Sequence, residues 1–111
     1  MASEARQERA ARNESLFREV NERIEAAATN FSSMFTEFMC ECADDSCFER
    51  VSLTIQEYSS VRGMGPVYFI LAPGHEDREI ERVVGGEADR YEIVEKLDVA
   101  AEVATELDAR S

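Results

Sequence analysis

Three thiols and one imidazole, gathered in two short stretches, narrow the possible folds of this chain more than any other feature. Cys40, Cys42 and Cys47 lie in FMCECADDSCFER, and the single histidine, His75, follows Pro73-Gly74 in LAPGHEDRE. An odd number of cysteines confined to one turn is not a secreted disulfide framework. In a reducing compartment such thiols read as metal ligands or reactive groups, weighed against the plainer use of cysteine as a small buried hydrophobe.

A closed structural zinc site takes four ligands in a tetrahedron, often three thiolates and one imidazole. In a strand, residues i and i+2 share a face, so Cys40 and Cys42 can point to one place. The turn ADDS returns the chain to Cys47, and a Pro-Gly turn after a core strand can present His75. The expected metal site is therefore Cys40, Cys42, Cys47 and His75, holding structural Zn2+. The spacing C-x-C-x4-C lacks the paired knuckles of common zinc modules, and an iron–sulfur cluster on the same ligands stays open. Glu41, Asp44, Asp45, Glu49, Glu76 and Asp77 surround the cluster. One of them could replace His75 as an oxygen ligand. Their charge is also expected to raise the thiol pKa values, which argues against a free nucleophilic cysteine.

The rest of the chain reads as a small single α/β domain over residues 1–111, with about three strands between a long N-terminal helix and a C-terminal helix. Hydrophobic residues make up 44 %, enough for a core and too many for a disordered chain. With no Trp and six Phe that core is thin, so a metal staple or a partner subunit would help it. From residue 3 to about 28 a helix is expected, its apolar stripe at Leu16, Val20, Ile24 and Ala27 or Ala28, widened by Phe17. Opposite charges four apart, such as Glu8–Arg12 and Glu14–Arg18, support it. Residues 1–10 are expected to fray, and TNFSS to stop the helix.

Met34 to Cys42 partly alternates and reads as the first strand. Thr54 and Glu57 have the form of a capping box opening a short helix with Ile55, Tyr58 and Val61 inward. VYFILA is the clearest core strand. HEDREIERVVGG reads as one or two helical turns carrying Ile80, Val83 and Val84, stopped by its glycines. RYEIVEKL alternates as a third strand, and DVAAEVATELDAR as a closing helix capped by Asp98, with Val99, Val103 and Leu107 on one side.

Net charge is −12. That field opposes polynucleotides and anionic lipid, so neither nucleic acid nor membrane is an expected partner. Residues 74–111 hold twelve acids against five bases, so a protein partner or a second copy of the chain fits better. The first residues have no apolar core of the signal-peptide kind, and a cytoplasmic location is expected. The common nucleotide, hydrolase and metalloprotease motifs are missing. What remains is a non-enzymatic zinc-binding interaction or regulatory module, with a thiol redox or metal sensor as the alternative. A cysteine-dependent enzyme, pairing Cys47 or Cys42 with His75, stands behind both.

The stretches RNESLFREVNERIE, FMCECADDSCFERVSLTIQEY, FILAPGHEDREIERVV and YEIVEK resemble an uncharacterised family of small actinobacterial proteins. The resemblance implies a bacterial cytoplasmic protein in which the cysteine turn and PGHE form one recurrent pattern. It implies no activity.

Overall fold

A computed structural model describes residues 4–28, 35–44, 46–87 and 89–108. Eight elements follow one another: α1 (Glu4–Ala28), β1 (Phe35–Met39), β2 (Arg50–Thr54), α2 (Ile55–Met64), β3 (Tyr68–Leu71), β4 (Glu81–Glu87), β5 (Tyr91–Lys96) and α3 (Asp98–Glu106). This is the expected small α/β domain with a long helix at one end of the chain and a shorter one at the other. Its sheet content differs from expectation, with five strands among the described residues instead of about three. β1 and β2 form an antiparallel hairpin. β3, β5 and β4 form a second antiparallel sheet with β5 in the middle.

The hairpin, α2 and β3 enclose the main core. Phe38, Val51, Leu53, Ile55, Tyr58, Val61, Phe69, Ile70, Leu71 and Val94 are buried there together with all three cysteines. Phe38 and Tyr58 stack with ring centroids 4.5 Å apart. The capping box forms as read: Glu57 N–H donates to Thr54 Oγ1 at 3.1 Å, and Thr54 N–H to Glu57 Oε1 at 2.9 Å. Helix α2 then runs to Met64 and buries Ile55, Tyr58 and Val61.

Three readings need correction. Helix α1 keeps only part of its apolar stripe inward: Ile24 packs against the main core and Phe17 is half-buried, but the middle of the stripe faces out. Leu16 is 59 % exposed and Val20 38 %, while Ala10, Ala11, Glu14, Ser15, Arg18 and Asn21 are buried. Hydrophobic periodicity loses here because the polar side has specific partners inside. Arg18 lies 4.0 Å above the Phe69 ring and donates to the carbonyls of Pro66 and Ala104. Glu14 reaches Lys96 of β5. Along the helix, opposite charges four apart pair at Glu8–Arg12 and Glu19–Arg23, at 3.0 and 3.5 Å, both exposed. α1 is helical from Glu4, and residues 1–3 lie outside the described residues. TNFSS and Met34 also lie outside them.

HEDREIERVVGG supplies a strand after a single turn. The N–H groups of Ile80 and Glu81 both reach Asp77 O, at 3.0 and 3.1 Å, and the chain then extends into β4. The β-branched pair Val83-Val84 and the open edge of β5 favour extension. The glycines continue the strand instead of stopping a helix, and a bulge falls at Val84, between Val83 and Gly85. Gly86 has φ +129, and a Cβ there would sit 2.3 Å from Tyr91 O. Finally, Asp98 does not cap α3. Leu97 holds the cap position without a side-chain bond, and Asp98 is the first helical residue, with φ +51. α3 buries Ala100, Val103 and Ala104, and Leu107 is exposed.

No helix among the described residues is long and apolar enough to cross a membrane.

Candidate metal centre

β1 leaves its sheet at Met39, and the next three residues change partners one by one. Cys40 N–H still bonds to Glu49 O at 3.0 Å, continuing the hairpin. Glu41 N–H bonds to Ile70 O at 2.8 Å, so the chain has crossed to the free edge of β3. The Glu41 side chain turns inward, away from the thiols. Its Oε1 accepts from Ile70 N–H at 2.9 Å and its Oε2 from Asn21 Nδ2 at 2.8 Å. Burial pushes the Glu41 carboxyl up to about 7, against the pull of those two hydrogen bonds. Asn21 also clasps Met39, donating to its carbonyl at 2.8 Å and accepting from its N–H at 2.7 Å. A residue of α1 thereby fixes the direction in which the Cys-Glu-Cys segment leaves the hairpin.

The turn back to Cys47 is built on Asp44. Its carboxylate accepts from Ser46 N–H at 2.9 Å and Ser46 Oγ at 2.6 Å, and its carbonyl accepts from Cys47 N–H at 3.0 Å. The serine bonds hold the Asp44 carboxyl below its usual range. His75 arrives on a separate turn, Ala72-Pro73-Gly74-His75, closed by His75 N–H to Ala72 O at 3.1 Å. Proline second and a positive-φ glycine third (Gly74, φ +85) are the requirements of a type II turn. Gly74 N–H is anchored to Glu92 Oε1 at 3.0 Å.

These segments bring the four sequence-predicted residues together. One ligand atom from each of Cys40, Cys42, Cys47 and His75 lies within 4.8 Å of every other, the cysteines buried and the histidine half-buried. His75 Nδ1 is 3.6 Å from both Cys40 Sγ and Cys47 Sγ. A tetrahedral zinc, with Zn–S of about 2.3 Å and Zn–N of about 2.0–2.1 Å, sets sulfur and nitrogen about 3.5–3.6 Å apart. Ala72 N–H points at Cys40 Sγ at 3.1 Å, the kind of outer hydrogen bond that orients a thiolate ligand. The cluster is a Cys3His set capable of coordinating a metal ion. Among the described residues none of the flanking carboxylates joins it. Asp45 lies outside the described residues.

Two of the three thiols are raised as expected, though by burial and by their sulfur neighbours and not by the acidic flanks, and the third is lowered. Cys40 is pushed up by its hydrogen bond with Cys42 and by burial. Burial raises Cys47 as well. Cys42 moves the other way, down to about 5, chiefly because Cys40 hydrogen-bonds to it, with His75, the Asp44 carbonyl and Cys47 adding to the effect against burial. The contrast between Cys42 and its two neighbours comes from the close packing of the sulfurs.

Sequence reasoning missed Asn21, Glu41, Ala72 and Glu92 as supports. None carried a signal, since each acts through a contact between segments far apart in the chain. Gly74 was legible as a turn residue, and its substitution tests the turn. An added Cβ meets nothing within 4 Å, so the cost of Gly74→Ala is the left-handed backbone alone, about 1–2 kcal/mol. Zinc affinity measured by competition with a chelating dye is expected to fall roughly tenfold in the variant. Wild-type affinity there would show that this turn is not what places His75.

Compared with protein-family models, with curated proteins and with solved structures, the chain matches none. The resemblance to actinobacterial proteins therefore gains no support, and the site rests on its own geometry.

Proposed function

We propose that this chain is a non-enzymatic zinc protein in which Cys40, Cys42, Cys47 and His75 hold one structural Zn2+. The domain so stabilised acts as an interaction or regulatory module. The observation that carries the reading is the pair of 3.6 Å separations from His75 Nδ1 to two sulfurs, inside a set of ligand atoms all within 4.8 Å. An iron–sulfur cluster is several atoms across and needs ligands spread more widely than this, which favours a single ion. Four protein ligands fill a tetrahedral zinc and leave no position for substrate, so the metal's role is structural. The lowered Cys42 thiol is accounted for by its sulfur neighbours, and a cysteine-dependent enzyme has no further support. Reduced, metal-binding thiols suit the cytoplasm. The acidic surface suits a basic protein partner or a second copy, and neither nucleic acid nor a membrane.

The test is elemental analysis of protein purified without added metal, beside Cys47→Ser and His75→Ala. One zinc per chain in the parent, reduced in both variants, is the expected result. Folded, metal-free parent protein that takes up no zinc would sink the proposal. Loss of zinc in the cysteine variant alone would remove His75 from the ligand set.

A further inference from the structure

The four ligands are unequally protected. Cys40 and Cys42 are 1 % and 2 % exposed, and Cys40 is further shielded by the Ala72 N–H on its sulfur. Cys47 is the most exposed of the three thiols, at 9 %. Together with His75 it lines an open hollow of about 490 Å³ whose other walls are Asp44, Ser46, Phe48, Glu49 and Arg50. Phe48, next in the chain, is 77 % exposed and leaves that hollow open to solvent. Behind Cys47 stands Cys42, on the other limb of the Asp44 turn, its ligand sulfur within 4.8 Å.

We propose that oxidation opens this centre. Cys47 is the thiolate oxidised first, by a small peroxide entering through the hollow, and Cys42 then closes a disulfide onto it. The inference rests on the zinc reading above. In the first step the Cys47 sulfur attacks one peroxide oxygen. An S–O bond forms, the O–O bond breaks, and hydroxide leaves and is protonated to water. In the second step the Cys42 thiolate attacks the Cys47 sulfenic sulfur. An S–S bond forms, the S–O bond breaks, and a second hydroxide leaves as water. Two thiolates give up two electrons, one peroxide is reduced to two waters, and two protons come from solvent. Cys40 and His75 are then the only ligands left. Two ligands do not complete a tetrahedral zinc site, so the ion is released. The buried position of Cys40 keeps it a thiol, and reduction of the single disulfide restores the full set.

The experiment titrates the full-length, zinc-loaded chain with hydrogen peroxide. Released metal is followed with a chromophoric chelator, and remaining thiols are alkylated and mapped by tandem mass spectrometry. About one zinc released per peroxide consumed is expected, with Cys42–Cys47 as the first disulfide and Cys40 recovered alkylated. Dithiothreitol followed by zinc should restore binding. Limited iodoacetamide on the loaded protein should likewise mark Cys47 before the other two. First oxidation at Cys40, a Cys40–Cys42 disulfide, or zinc retained under excess peroxide would each overturn the proposal. A chain that binds no zinc before peroxide is added overturns the metal reading itself, so the two failures are seen at different stages.

Discussion

Lys96→Met is expected to remove about 3–5 kcal/mol of unfolding free energy, enough to leave a domain of this size marginal or unfolded. The Lys96 ammonium is buried with no exposed side-chain surface and pairs with both Glu14 of α1 and Glu81 of β4, which are equally buried. It also lies 4.7 Å from the centroid of the Phe69 ring. Methionine matches the volume and leaves two carboxylates facing each other without a cation. Glu14 already carries the strain of this arrangement. Burial raises its carboxyl pKa most, Lys96 pulls it back, and Glu81 pushes it up again, with a net shift well above the usual carboxylate range. A carboxyl whose folded pKa is raised contributes most stability below its unfolded value of about 4.3, and that contribution is lost as pH rises through the folded pKa. Glu14→Gln should therefore flatten the fall in stability above about pH 4.3 and keep the Lys96–Glu81 pair. Urea denaturation of the parent and both variants across pH measures this. A Lys96→Met protein within about 1 kcal/mol of the parent would mean that the triad is hydrated in solution and matters little.

Zinc removal should have an effect of similar size by a different route. Binding to the folded chain alone adds about 4 kcal/mol when free zinc stands a thousandfold above its dissociation constant. For a chain of 111 residues that is roughly 15–30 °C in Tm. The loss should be local at first. The core keeps Phe38, Tyr58, Leu53 and Phe69, whereas the Cys40–Cys47 turn and the His75 turn would lose the ion bridging their side chains and keep only the bond from Ala72 N–H to Cys40 Sγ. The stabilisation should weaken as pH falls, because protons compete with zinc for the thiolates. Calorimetry with and without a strong chelator, at two pH values, is the measurement. Equal melting temperatures in both conditions would remove the metal from the stability of the fold.

Much of the site was readable because its signals are local. Three cysteines around a turn, a Pro-Gly step before the histidine and a Thr54–Glu57 capping box each depend on residues a few positions apart. The core strand at Tyr68–Leu71 was readable for the same reason, as one unbroken apolar run. The orientation of α1 was not. Its buried face is chosen by Lys96, Met39 and Glu41, residues that neither sequence proximity nor hydrophobic spacing connects to Glu14 and Asn21. Strand β4 escaped notice because Val83 and Val84 are both exposed, so no alternation marks it. Its order comes from pairing with β5.

The crossing of Glu41 onto β3 has a consequence for solubility. Ile70 has both main-chain groups occupied by this one residue, its carbonyl by Glu41 N–H and its N–H by the Glu41 carboxylate. Without that cover, β3 would present a free edge flanked by Phe69 and Leu71, the kind of template on which chains stack into aggregates. The Cys40–Cys42 segment is thus also an edge guard. A chain stripped of its metal and freed at Cys40–Cys42 should become prone to self-association before it becomes fully unfolded.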